Sequence, residues 1–198
     1  MKTDVWALSD SNKNLSFILE ETEKTAAYAK LEAKQAVHLR LLAEEMIGML
    51  SELVEGYTGE FWIESRGNDF TLCATLEVSN RRDIQNEKLL AVSSTGKNAS
   101  ATGIINKIRI VVTAMLDEYT GVSQYMADNG YFFFDMGENA EDARYCSSWS
   151  LSQYAAHVTE GQDGAWDELE KSIIAKIADD VVVGIIGKKI EIVIKKTF

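Results

Sequence analysis

Two adjacent glutamates, Glu44 and Glu45, interrupt an apolar run that reads Leu41-Leu42-Ala43-Glu44-Glu45-Met46-Ile47-Gly48-Met49-Leu50. A carboxylate at a helix edge can act as a general base if its reach and pKa suit the proton it must take. The same pair can be the solvated rim of an amphipathic helix. Both readings stay open on the residues alone. On a helical wheel His38, Glu45 and Glu52 fall on one line beside the apolar stripe. Seven-residue steps are too long for two ligands of one ion, so that line reads as surface electrostatics and not as a metal centre.

Other reactive side chains are sparse. Cys73 and Cys146 match no close-spaced metal pattern, and with His38 and His157 as the only histidines there is no zinc quartet. Both cysteines read as reduced thiols, since nothing in the sequence ties His157 to either. The stretch Ser93 to Gly103 is almost all small or polar and contains Gly96-Lys97-Asn98 close to a helix start. It can serve as a phosphate-covering lid or as a flexible connection, and it does not fit the Walker spacing. Tyr131-Phe132-Phe133-Phe134 stands beside Asp135, Glu138, Glu141 and Asp142, and is either core or an acid-bordered contact surface.

The elements that must position these residues follow from periodicity. Val5 to Leu8 reads as a short strand, followed by turn and cap residues Ser9-Asp10-Ser11-Asn12 and a helix from about Lys13 to Lys30. A second helix, about Ala33 to Glu55, carries Leu39, Leu42, Ala43, Met46, Met49, Leu50 and Leu53 on one stripe. After Gly56 and Gly59 comes a hairpin: Phe61 and Ile63 alternate with Trp62 and Glu64, and Arg66-Gly67-Asn68-Asp69 turns the chain. In its second strand Phe70, Leu72, Ala74, Leu76 and Val78 share one face, while Thr71, Cys73, Thr75 and Glu77 share a semi-polar one. The apolar face is expected to pack on the preceding helix.

A third helix is expected over about Ala101 to Tyr119, with Ile104, Ile105, Ile108, Val111, Val112, Met115 and Leu116 inward. Gly121 to Gly164 shows no usable period. Trp166 to Ala178 reads as a helix, and Val181 to Ile186, Gly187-Lys188 and Lys189 to Lys195 as a closing hairpin with Ile190, Ile192 and Ile194 toward the core. The order strand, two helices, hairpin, two helices, hairpin implies an α+β protein. Helices cover one face of a mixed, largely antiparallel sheet.

Composition narrows the function classes. The 198 residues suit a single domain able to bury its own core. With 20 Lys plus Arg against 31 Asp plus Glu, the net charge of −11 disfavours a phosphate-backbone interface, so no nucleic-acid partner is expected. Met1 to Ser11 has charges at Lys2 and Asp4 and lacks a signal peptide's apolar centre and cleavage site. Charges interrupt every apolar run short of the ~20 residues of a membrane span, so neither membrane nor export is expected and the location is cytoplasmic.

The run Leu41 to Leu50 resembles the long helix of the GHKL (Bergerat-fold) ATPases and kinases, which carries a Glu and, four residues on, an Asn. The end of the chain, Ser172 to Val183 followed by Gly187 to Ile194, looks like the last helix and hairpin of anti-sigma factor serine kinases; histidine kinase ATP-binding domains share this layout. Counting the hairpin at residues 60 to 78, the resemblance covers about half the chain. It implies a GHKL-like two-layer sandwich spanning 1–198, with an enlarged lid or insertion at about 80–164. It also implies a catalytic Glu44 or Glu45, ATP and magnesium as cofactors, an adenine-reading Asp for which Asp83 is the available residue, and phosphate-approaching glycines for which Gly96, Lys97 and Gly164 are the available residues.

The chain departs from that pattern at informative positions. Glu44 is followed four positions on by Gly48 and Glu45 by Met49, so neither frame supplies the magnesium-holding Asn. Ser79-Asn80-Arg81-Arg82-Asp83 replaces Asp-x-Gly-x-Gly, and Glu160 and Asp163 beside Gly161 and Gly164 would repel phosphate. The expected function is a degenerate GHKL-like regulatory domain of bacterial signalling or transcriptional control, acting through an unidentified protein partner and possible as a homodimer. An active ATP-dependent protein kinase or ATPase is the alternative, and an unrelated α+β binding domain the third reading.

Overall fold

A computed structural model describes residues 1–9, 14–54, 56–77, 108, 111–112, 147–157, 172–186 and 189–198. Strand β1 (Trp6–Ser9) precedes helices α1 (Leu15–Tyr28) and α2 (Ala33–Leu53), and the hairpin β2 (Thr58–Arg66) and β3 (Asp69–Glu77) follows. Ile108, Val111 and Val112 are helical and buried. Next come β4 (Ser147–Ser150), α3 (Leu151–His157), α4 (Ile173–Ile177), and the closing hairpin β5 (Asp180–Ile186) and β6 (Lys189–Thr197).

The six strands form one sheet in the order β1-β2-β3-β6-β5-β4. Among the described residues every pairing is antiparallel, so the fold is α+β with an antiparallel six-stranded sheet, in keeping with the largely antiparallel one expected. Because side chains alternate along each strand, residues directly opposite one another share a face. One row therefore crosses all six strands: Trp6, Phe61, Ala74, Ile192, Val183 and Trp149. All but Trp6 are buried, and they join α2's Leu39, Leu42, Ala43, Met46, Met49, Leu50 and Leu53 in one core cluster. The hairpin's apolar face thus packs on the preceding helix, as its alternation requires. Burying each such large side chain contributes about 1.5–3 kcal/mol before chain entropy is set against it.

Local chemistry sets the helix ends. Glu32 and Gln35 form a reciprocal capping box at the start of α2, with the Glu32 N–H donating to Gln35 Oε1 at 2.9 Å. At its end the Val54 N–H donates to the Leu50 carbonyl, and Gly56 takes the left-handed φ of 64° that turns the chain into β2. Lys30 adopts φ 59° between α1 and α2. The Ala175 N–H donates to Ser172 Oγ at 3.2 Å, which caps α4.

The opposite sheet face is less polar than its alternation suggests. Cys73, Val193 and Val182 are buried there as a second cluster, with Trp62 packed against it. The next row crosses Thr75, Glu191 and Gly184, and Glu191 is only 3% exposed. At the lower end of β6, Asp179 joins the last turn to the sheet: Lys196 Nζ lies 2.7 Å from its Oδ1 and the Thr197 N–H donates to Oδ2 at 2.6 Å.

Candidate functional site

Helix α2 carries the two carboxylates that the sequence singles out. Its core stripe fixes the roll of the helix, so residues four apart on the far side look away from the sheet. Val37, Arg40, Glu44 and Gly48 are exposed on that side. A Cβ added at Gly48 would meet nothing within 4 Å, so the helix is bare for a full turn beyond Glu44. Arg40 is held by an ion pair from its Nη1 to Glu23 of α1.

Glu45 lies differently. It is half-buried on the flank of the stripe, on the same line as half-buried His38. One turn further on, Met49 is 1% exposed and belongs to the core. The structure therefore separates two residues that are equivalent in the sequence. Glu44 stands in water with an empty position beyond it, and Glu45 borders the packed interior with a thioether beyond it.

The magnesium ion that the GHKL resemblance implies does not fit α2 in either frame. Gly48 has no donor, and Met49 offers a soft thioether inside the core where a hard cation needs oxygen ligands and retained water. Among the described residues no group of three or more His, Cys, Asp and Glu is placed to hold a metal ion. Asp83, Gly96, Lys97 and Gly164 lie outside the described residues, as do Cys146, the Ser93 to Gly103 loop and the aromatic run from Tyr131.

Cys73 is buried among Val182, Val193 and Trp62. Two elements have no counterpart in the sequence reading. Strand β4 is a four-residue Ser-Ser-Trp-Ser segment in which Trp149 is buried, too short for alternation to stand out. Helix α3 starts where the Ser152 N–H meets Asp180 Oδ1 at 3.0 Å, a partner 28 residues away that no local pattern reveals. No described helix is long and apolar enough to cross a membrane.

Comparison with known protein families, with curated proteins and with solved structures finds no match to this chain.

Proposed function

We propose that the chain is a degenerate GHKL-like regulatory domain that works mainly by binding another protein, in bacterial signalling or transcriptional control, and not by phosphoryl transfer. The observation that carries this reading is the state of α2. General-base chemistry of the GHKL kind needs a carboxylate and a metal-holding amide one turn apart on the same wet face. Glu44 has Gly48 at that position, and Glu45 has the buried Met49. The scaffold side of the reading is supported by a long amphipathic helix that leads into an antiparallel hairpin, with the closing β5–β6 hairpin beside it in one sheet. A scaffold that keeps its packing while losing its polar site is suited to recognition by surface.

Calorimetric titration with ATP, with and without magnesium, tests the reading. No magnesium-dependent heat at millimolar ATP is the expected result. Saturable, magnesium-dependent heat would overturn it in favour of an ATP-dependent kinase or ATPase. Glu44→Gln and Glu45→Gln, made separately, would then identify the base by loss of phosphoryl transfer.

A further inference from the structure

Helix α1 buries Ile18, Leu19, Thr22, Thr25 and Ala26, and these residues fix how the helix is rolled against the rest of the fold. Phe17, Glu21, Lys24 and Tyr28 follow one another at steps of four, three and four residues, which puts them on a single stripe on the side away from the buried ones. Two large rings stand at its ends: Phe17 is 51% exposed and Tyr28 77%. Between them Lys24 Nζ reaches Glu21 Oε1 at 2.8 Å and Glu20 Oε1 at 2.9 Å, with the lysine side chain 60% exposed. Trp6 meets Phe17 edge-on at 6.5 Å, which holds that ring in place before any partner arrives.

The four-three-four spacing is that of a coiled-coil seam, on which a second helix can lie. Its chemistry says which helix. The order aromatic, acid, base, aromatic is complementary to itself when reversed. A second α1 laid antiparallel, about a two-fold axis level with the peptide between Thr22 and Glu23, sets Phe17 against Tyr28 and Glu21 against Lys24, twice each. A parallel arrangement would instead set Glu21 on Glu21 and Lys24 on Lys24. Two chains of net charge −11 repel each other in general, so a contact between copies is favoured where cations are placed to meet carboxylates.

We infer that α1 is a homodimer contact, in which the Phe17-Glu21-Lys24-Tyr28 stripes of two copies pack antiparallel about a two-fold axis. This goes beyond the regulatory reading and does not depend on it. The Lys24 ammonium then lies among carboxylates of both copies, and each Tyr28 covers the Phe17 of the other. One helix of 14 residues per copy is small beside a permanent interface, so the dimer is weak and forms with rising concentration.

Sedimentation equilibrium of the full chain from micromolar to millimolar concentration tests the contact. The wild-type chain is expected to associate to a dimer and no further. Glu21→Lys places like charges opposite each other at both pairs, and so does Lys24→Glu; each is expected to weaken association by about tenfold. Tyr28→Ser, which leaves the charges alone, is expected to weaken it as well. The double variant Glu21→Lys/Lys24→Glu restores opposite charges and is expected to dimerise again. Mixing the two single charge variants is expected to give a heterodimer, an outcome that fraying of α1 would not produce. A wild-type chain that stays monomeric throughout, single variants that associate as well as wild type, or a folded double variant that stays monomeric would overturn the inference.

Discussion

Gly59 of β2 lies directly against the Thr75 carbonyl of β3. A Cβ built on Gly59 would penetrate that backbone oxygen and come within 2.9 Å of Leu76 Cδ2. The contact sits on the core side of the hairpin, since Gly59 pairs with Leu76 and with Leu8. Neither a carbonyl in the ladder nor a core leucine can retreat without disturbing the central strands. Gly59→Ala is therefore expected to lower unfolding stability by about 1–3 kcal/mol, as overpacked cores do, measured by urea denaturation.

Gly48 gives the opposite sign. It is exposed in the interior of α2 and has open space where a Cβ would go. Glycine there costs backbone entropy without serving a turn or a close approach. Gly48→Ala is expected to raise stability by about 0.5–1 kcal/mol and to shift the thermal midpoint upward. A lowered midpoint would mean that the bare turn is needed by a packed neighbour.

These two glycines show where a sequence is informative about this fold and where it is not. The α2 stripe and the hairpin alternation are strong periodic signals because one face of each is buried against the other, and the structure follows them to within a few residues. The burial of Cys73 was not legible, since its neighbours Val182 and Val193 lie more than a hundred residues further along the chain. Strand β4 is illegible for the same reason: its buried Trp149 is defined by its pairing with Val183, far along the chain. At the candidate site, the missing amide after Glu44 and Glu45 is plain in the sequence. Only the roll of α2, fixed by its tertiary packing, shows that one frame opens to solvent and the other closes on the core.

Met49 can be used to ask whether that closure is structural. Met49→Asn would place in the Glu45 frame the residue type that a GHKL helix carries, but at a position only 1% exposed and among apolar partners. The buried amide would lose the methionine's packing and lack assured hydrogen-bond partners. A loss of about 2–4 kcal/mol is expected by chemical denaturation, with no magnesium-dependent ATP heat gained. A stable variant that binds magnesium and ATP would instead show that the metal position is still reachable from solvent.

Asp179 sets a pH dependence whose sign can be worked out. Partial burial acts to raise its carboxyl pKa, but the Lys196 ammonium and the Thr197 N–H outweigh that and hold it below the ordinary value of 3.8. A carboxylate with a depressed folded-state pKa contributes stability that is present above the unfolded value and is lost as pH falls through the folded one. The side chain is 45% exposed, so solvent screening keeps the effect small, under about 1 kcal/mol. Asp179→Asn is expected to be slightly less stable than wild type at pH 7, with the gap narrowing below about pH 4 as the wild-type carboxylate is protonated. Urea midpoints for both proteins from pH 7 down to pH 3 would measure this, and a constant gap across that range would mean that the hydrogen-bond geometry around Asp179, and not its charge, stabilises the junction.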